Sequence, residues 1–228
     1  MKVGLISDVH ANLPALEAVL DDMPPVDRIV CAGDVIGYNP WPAECVGRVR
    51  EVADATVQGN HDATVETPGR YRANRMAEAG LEHAKRTLDD DALAWLRELP
   101  RTVTVDDGRY LIVHSHPAPE RDGAYVYPEE FSNLGRHVEG YDGVVLGHTH
   151  VQGTELISIP GEGDALVINP GSVGQPRDGD PGAAYAVLDA AAESIDLRRV
   201  PYDIDRVADA VAAAGLPERT AERLYDGR

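Results

Sequence analysis

Five short apolar runs, each stopping at aspartate, asparagine or histidine, constrain this chain more than any other feature. The run at 2–6 leads into "SDVH", 27–32 into "GDVIGYNP", 54–58 into "GNHD", 110–113 into "HSHP" and 143–146 into "GHTH". Short β-branched runs bounded by turn residues read as strands. Between the first three lie helical patterns. The segment 13–23 places Leu13, Leu16, Val19 and Leu20 on one face, and 42–53 opens with proline in its first turn. Strand–helix–strand at this spacing implies right-handed βαβ units with parallel strands.

The remaining pattern fills out a fold. Residues 71–98 read as two helices closed by Pro100, 101–114 as a hairpin turning at Asp107-Gly108, and 128–139 as another helix. From 153 onward strands and turns dominate, and a short helical tail occupies 203–228. Without repeats or a linker-like stretch, 1–228 reads as one domain. The fold class is α/β with α+β character: a four-layer sandwich of two packed mixed β-sheets flanked by helices, with an early parallel half and a later, more antiparallel half. Ligand chemistry in open α/β sheets gathers beyond the carboxyl ends of strands, where the polar tetrapeptides lie.

Composition narrows the classes. The 228 residues suffice for a sizeable core. No apolar run is long enough to cross a membrane, and the start "MKVGLISDVHANL" lacks the apolar region of a signal peptide. Cys31 and Cys45 are neither a disulfide framework nor a CxxC metal pair, so reduced thiols and a cytoplasmic location are expected. With 21 basic and 39 acidic residues the formal net charge is −18, which disfavours nucleic acid and anionic membranes as partners. Lys2 and Lys85 are the only lysines. Acidic loops and arginine in place of lysine suggest adaptation to molar salt, where screening relieves carboxylate repulsion.

The polar strand ends form a chemical set. Asp8 and His10 are two residues apart on what reads as extended chain, which would send both side chains off one face, and His148 and His150 repeat the spacing. Asp34 follows Asp8 by 26 positions and Asn60 follows Asp34 by 26, as successive βα units would bring equivalent ends together. Six of the eight histidines (10, 61, 114, 116, 148, 150) fall here. Carboxylate, imidazole and amide oxygen together suit Mn, Fe, Ni, Co or Zn. Seven candidates, Asp8, His10, Asp34, Asn60, His114, His148 and His150, exceed one ion's needs and fit two, with one carboxylate shared. Two ions roughly 3.5–4 Å apart clamp a phosphoryl group and lower the pKa of water.

"DVHAN", "GDVIGYNP", "GNHD", His114 and "GHTH" resemble the five ordered signatures of the calcineurin-like metallophosphoesterase superfamily. The segment "INPGSVGQPRDGDPGAAYAVLD" (168–189) resembles its small prokaryotic phosphoesterase branch, and the similarity runs from residue 2 to about 200. Position by position, the resemblance implies that Asp8, His10 and His150 hold one divalent ion and Asn60, His114 and His148 another, bridged by Asp34. Manganese is the first choice, with nickel, iron, cobalt and zinc as alternatives. His61 corresponds to the family's catalytic histidine, which stabilises the transition state or protonates the leaving oxygen. The fourth signature departs from the usual His-Gly, reading His114-Ser115-His116. His116 is therefore open, as a substrate contact or as a satisfied turn histidine.

Asn12 and Asn39, near the same rim, are candidates for phosphate oxygens. Arg177, after "NPGSVGQP", is the cation placed to meet a substrate phosphate. Asp62 is read as capping the next helix rather than orienting His61. The expected function is metal-dependent hydrolysis of a small phosphoester, with a phosphodiester the first choice. Phosphomonoesterase, protein phosphatase, dinucleoside-polyphosphate hydrolase and a non-catalytic scaffold are the alternatives, and homodimerisation is open.

Overall fold

The computed structural model describes residues 1–228. The first sheet has the order β10-β9-β1-β2-β3, built from β1 (Lys2–Ile6), β2 (Arg28–Cys31), β3 (Ala55–Thr56), β9 (Ala183–Asp189) and β10 (Ser194–Val200). β1, β2 and β3 pair in parallel through α1 (Leu13–Asp22) and α2 (Pro42–Val52), as the sequence predicts. β9 runs antiparallel between β1 and β10, and its almost continuous burial fits a central strand covered on both faces.

The second sheet has the order β4-β5-β6-β8-β7, built from β4 (Thr102–Val105), β5 (Tyr110–Val113), β6 (Gly143–Val145), β7 (Gly153–Ile159) and β8 (Gly163–Asn169). The predicted β4–β5 hairpin is present, with Asp106, Asp107 and Gly108 all at positive φ in its turn. The expectation of an antiparallel later half is only partly met, because β5, β6 and β8 pair in parallel. A local pattern does not show that β8 returns past β7 to lie beside β6.

Three apolar layers hold these elements. Val3, Leu5, Val30, Ile112, Val145, Ile168 and Leu188 pack between the two sheets. The outer face of the first sheet is covered by α1, α2, α4 (Arg75–Thr87) and α5 (Asp90–Glu98), through Leu16, Val19, Val46, Val49, Leu81 and Leu96. Over the second sheet lie Phe131, Leu134 and Val138, in or just beyond a segment read from sequence as an α-helix. It is instead a 3₁₀ helix over Pro128–His137. Ser132, Asn133 and Gly135 give little support to an α-helix, so the tighter i→i+3 pattern prevails.

The tail carries α6 (Ile204–Ala213) and the single turn α7 (Arg219–Glu222). Val207, Val211, Leu216 and Leu224 pack with Trp41, Ala79 and Tyr202. Its last residues are fastened to the loop after Arg177, where the Gly179 amide donates to the Gly227 carbonyl at 2.9 Å. Cys31 and Cys45 are both buried free thiols, and no helix is long and apolar enough to cross a membrane.

Candidate metal centre

The loops after β1, β2 and β6 are left-handed where the side chains matter. Asp8 (φ 52°), His10 (47°), Asp34 (55°), Tyr38 (59°), His148 (70°) and His150 (60°) all sit in this region. Extended alternation therefore does not aim Asp8 with His10 or His148 with His150, contrary to the reading from spacing. Each side chain is swung inward by its own strained turn. Such conformations cost about 1–3 kcal/mol each and persist only where the surroundings over-determine them.

The surroundings do so. The Asp8, His10 and Ala11 amides donate to the Gly33, Asp34 and Val35 carbonyls at 2.9–3.0 Å, tying the first loop to the second. Asp62, in the first turn of α3 (Asn60–Thr64), accepts from the amides of Asp34 (2.9 Å), Val35 (3.0 Å), Ile36 (3.3 Å) and Gly59 (3.0 Å). It caps its helix and also fixes the Asp34 loop. Burial and the Asp34 charge push its carboxyl up to about 7. From below, Ser172 donates to the Asp8 carbonyl (2.8 Å), and Asn169 donates to the Gly147 carbonyl (2.9 Å) and the Thr149 hydroxyl (2.9 Å). The "NPGSVGQP" stretch is thus largely scaffold. A Cβ on Gly59 would fall 2.1 Å from Asp34 Oδ1, and one on Gly147 2.1 Å from Ser7 Oγ, so neither loop tolerates a side chain there.

The seven candidate donors converge. Asp8, His10 and His150 offer ligand atoms within 4.8 Å of one another, as do Asp34, His114 and His148. Asp8 Oδ2 is held by Ser7 (2.6 Å) and the His148 amide (3.0 Å), while Oδ1 is buried without a hydrogen-bond partner, 3.2 Å from His150 Nε2. Asp34 Oδ1 accepts the His61 amide at 2.8 Å. Its Oδ2 lies between His10 Nε2 (3.7 Å) and His114 Nε2 (3.4 Å). Asn60 Nδ2 donates to the Tyr71 hydroxyl at 2.5 Å, leaving Oδ1 3.0 Å from His114 Nε2.

This set fits cations better than it fits itself. His10 Nδ1 faces the Ile36 carbonyl (3.0 Å) and His150 Nδ1 the Gln175 carbonyl (2.6 Å), so in the neutral rings both Nδ1 atoms carry the proton. The two Nε2 lone pairs then point at each other across 3.1 Å, with the orphaned Asp8 oxygen beside them. Only a positive charge between them removes that repulsion. His114 repeats the pattern, its Nδ1 on the Ala32 carbonyl at 2.8 Å and its Nε2 facing acceptors. His148 bonds the Gly123 carbonyl through Nε2 (3.1 Å), which leaves Nδ1 available as a ligand atom. Carbonyls holding the far nitrogen are the usual support of metal-binding histidines.

Burial drives His10 and His150 below the ordinary imidazole range, His10 furthest, so both are neutral and ligand-ready. Burial also takes His148 to about 4. At His114 burial is outweighed by the Asp34 carboxylate, which lifts it to about 10. In that state His114 carries a proton on Nε2, facing the Asp34 carboxylate, where a cation would compete with that proton for the same lone pair. Both aspartates are held below the usual carboxylate range, their burial overcome by surrounding imidazoles.

His61 is buried beside these donors, its ring between Tyr38 (centroids 4.8 Å) and Tyr71 (4.9 Å). Its Nδ1 has no partner and lies against Gly37, where a Cβ would come within 2.4 Å. Burial lowers it to about 4.

Two cavities flank the donors. One, about 350 Å³, is lined by Asp34, His61, His148, His150, Arg177 and Arg223 among others. The other, about 470 Å³, includes His114, Arg70, Arg101 and Asp122. Asn60, Tyr71 and Gly123 line both.

Three candidate substrate residues are placed elsewhere. Asn12 is fully buried, capping α1 at the Ala15 amide (3.2 Å) and donating to the Gly174 carbonyl (2.9 Å). Asn39 is fully buried with its amide on the His10 carbonyl at 3.0 Å. His116 is a turn histidine: Nδ1 accepts the Ala118 amide at 3.0 Å, and the ring meets His137 edge-on. Arg177 does line the cavity, donating to Tyr38 (3.2 Å) and Gln175 (2.8 Å). The sequence reading missed Tyr38, Tyr71, Tyr125 and Arg223. Tyr38 sits inside the quoted "GYNP" and was within reach of it. The others lie in segments that carry no signature.

Comparison with known proteins agrees with this geometry. The model of the calcineurin-like phosphoesterase superfamily domain matches residues 1–193. The solved structure of a metallophosphoesterase from Sphaerobacter thermophilus superposes with a TM-score of 0.85 at 35% identity, covering 100% of this chain and 99% of that one. A protein of Methanocaldococcus jannaschii is 31% identical across 99% of this chain and 98% of its own length. The Escherichia coli phosphodiesterase YfcE is 29% identical, covering 83% of this chain and 88% of its own. With its signatures in order and their side chains gathered at one end of the paired sheets, this chain belongs to the calcineurin-like phosphoesterase superfamily.

Proposed function

We propose that the chain is a binuclear-metal-dependent phosphoesterase whose preferred substrate is a phosphodiester. The observation that carries the metal reading is the pair of unprotonated imidazole nitrogens facing each other beside an orphaned aspartate oxygen. Asp8, His10 and His150 would hold one ion and Asn60, His114 and His148 the other, with Asp34 shared between the two sets. Manganese suits this mixed nitrogen and oxygen set, with nickel, iron, cobalt and zinc as alternatives. Bound there, divalent ions supply Lewis-acid polarisation of the phosphoryl oxygens and lower the pKa of water.

The side chains do the rest. Asp34 links the two donor sets to His61, because its Oδ1 accepts the His61 amide. As a neutral ring, His61 offers an N–H to the departing oxygen. Tyr71 holds the Asn60 amide so that its oxygen faces the donors. The serine hydroxyls nearest the donors are engaged: Ser7 with Asp8, Ser115 with Asp122, Ser172 with a backbone carbonyl. Water activated by the metal site is the proposed nucleophile, without a covalent phosphoryl-enzyme. Cavities on both sides of Asn60 favour a diester, since each ester substituent has its own space. The likeness to YfcE supports the same choice.

The test is turnover of bis-(p-nitrophenyl) phosphate beside p-nitrophenyl phosphate with Mn²⁺ in molar KCl, repeated after chelation. Chelator-sensitive cleavage with the diester faster is the expected result. A faster monoester would make the enzyme a phosphomonoesterase, and no hydrolysis with any divalent ion would overturn the proposal.

A further inference from the structure

The smaller cavity has a wall that no signature motif supplies. Arg223, in the tail and outside the matched residues 1–193, lines it together with Arg177. The tail positions Arg223 firmly. Leu224 beside it is fully buried, Gly227 is bonded to the loop that follows Arg177, and Arg223 Nε meets the Arg228 carbonyl. Arg177 is set by Tyr38 and Gln175, with its Nε buried and unpartnered.

In a chain of net charge −18, two converging guanidiniums would be expected to find carboxylates. Arg101, Arg109 and Arg199 do so. Arg177 and Arg223 instead bond only a phenol, an amide oxygen and a backbone carbonyl. Their charges are left facing the same space and repelling each other, and burial together with Arg177 lowers Arg223 to about 10. Two planar guanidiniums without a carboxylate favour a multiply charged oxyanion.

Tyr38 fixes where that anion sits. Its ring lies against His10 (centroids 4.7 Å) and His61 (4.8 Å), and its hydroxyl takes the Arg177 hydrogen bond. Arg177 is thus tied to the donor side through Tyr38, and both arginines share one cavity with Asp34, His148 and His150. The scissile phosphoryl group belongs over the donors, and a second charge belongs at the arginines.

We infer that Arg177 and the tail residue Arg223 form a subsite for a second phosphate, making the preferred substrate a phosphoester that carries a further phosphate group. This inference rests on the proposed metal-dependent phosphoesterase site, which it deepens by naming the substrate class.

The experiment compares Kd values of the Mn²⁺-loaded protein for AMP, ADP and adenosine 3′,5′-bisphosphate by titration calorimetry. None of the three is a phosphodiester, and phosphate release is followed alongside. At least one doubly phosphorylated probe is expected to bind tighter than AMP by about tenfold or more, the range of one added charge-assisted pair. That advantage should vanish in Arg223→Gln, return in part in Arg223→Lys, and persist in Arg219→Gln, an exposed arginine of the same tail. Equal binding of all three probes by the wild type overturns the subsite. So does an advantage that survives Arg223→Gln, or one lost equally in Arg219→Gln. Failure of the phosphodiesterase reading would show separately, as absent diester turnover or as phosphate release from the probes, while the binding ratio still reports on Arg223.

Discussion

The two donor sets share Asp34 but not an environment. Asp8 and His10 are fully buried and line neither of the two cavities, and His150 lines only the smaller of them. Asn60, His114 and His148 all line cavity walls, with Asn60 exposed to both. All three inner residues sit at positive φ, against His148 alone in the outer set, and the inner set is held by bonds spanning β1, β2 and the 169–175 stretch. The outer set has partly buried supports, such as Tyr71 for Asn60 and the Gly123 carbonyl for His148. An ion held by the inner set would be caged, whereas one held by the outer set would face the cavities. Assembly is therefore expected to be sequential, inner before outer.

The largest effect falls on the residue the two sets share. Asp34→Asn should lose both ions and reduce turnover on the order of a thousandfold or more. Metal analysis of the purified variant checks this, and retention of both ions with full turnover would remove the bridge. His61→Ala should keep both ions while kcat falls by about 10²–10⁴-fold, as for loss of an acid–base group. Unchanged kcat would show that His61 has no part in the chemistry.

The next variants separate the sets. His148→Ala should retain one ion per chain, whereas His10→Ala should bind neither in order, giving one chelator step in the first and none in the second. Identical stoichiometries would erase the distinction. Tyr71→Phe frees the Asn60 amide, and should weaken only the outer ion, by about 10–100-fold. Equal weakening of both ions would show that Tyr71 does not act through Asn60.

The smallest expected effect lies just outside the centre. Burial, Arg121 and His137 hold His116 down at about 4, below the unfolded value near 6.5. Its stabilising contribution is complete above pH 6.5 and is lost as pH falls toward 4, because the unfolded chain takes up the proton first. His116→Leu should flatten that part of the Tm-against-pH curve for metal-free protein. A variant with the wild-type slope would assign the acid sensitivity to other histidines.

Much of this centre was legible because its donors come from strand ends, where residue type and chain order survive without knowledge of tertiary contacts. The βα repeat placed Asp8, Asp34 and Asn60 together from spacing alone. Backbone conformation was not legible: positive φ at Asp8 or His148 leaves no periodic trace, and extended alternation was the wrong reason for a convergence that does occur. Asn12 and Asn39 serve backbone groups, and His116 takes the turn role that was one of its two readings; proximity in sequence to a rim does not show which backbone group a side chain already serves. Arg223 was invisible for the opposite reason, since only the packing of Leu224 and the Gly179–Gly227 bond bring the tail to the cavity.

The most direct test of the centre is titration of metal-free protein with Mn²⁺, following bis-(p-nitrophenyl) phosphate turnover against equivalents bound. Binding of two equivalents per chain is expected, with little activity after the first and a rise to the maximum as the second fills. Full activity at one equivalent would contradict a binuclear centre bridged by Asp34.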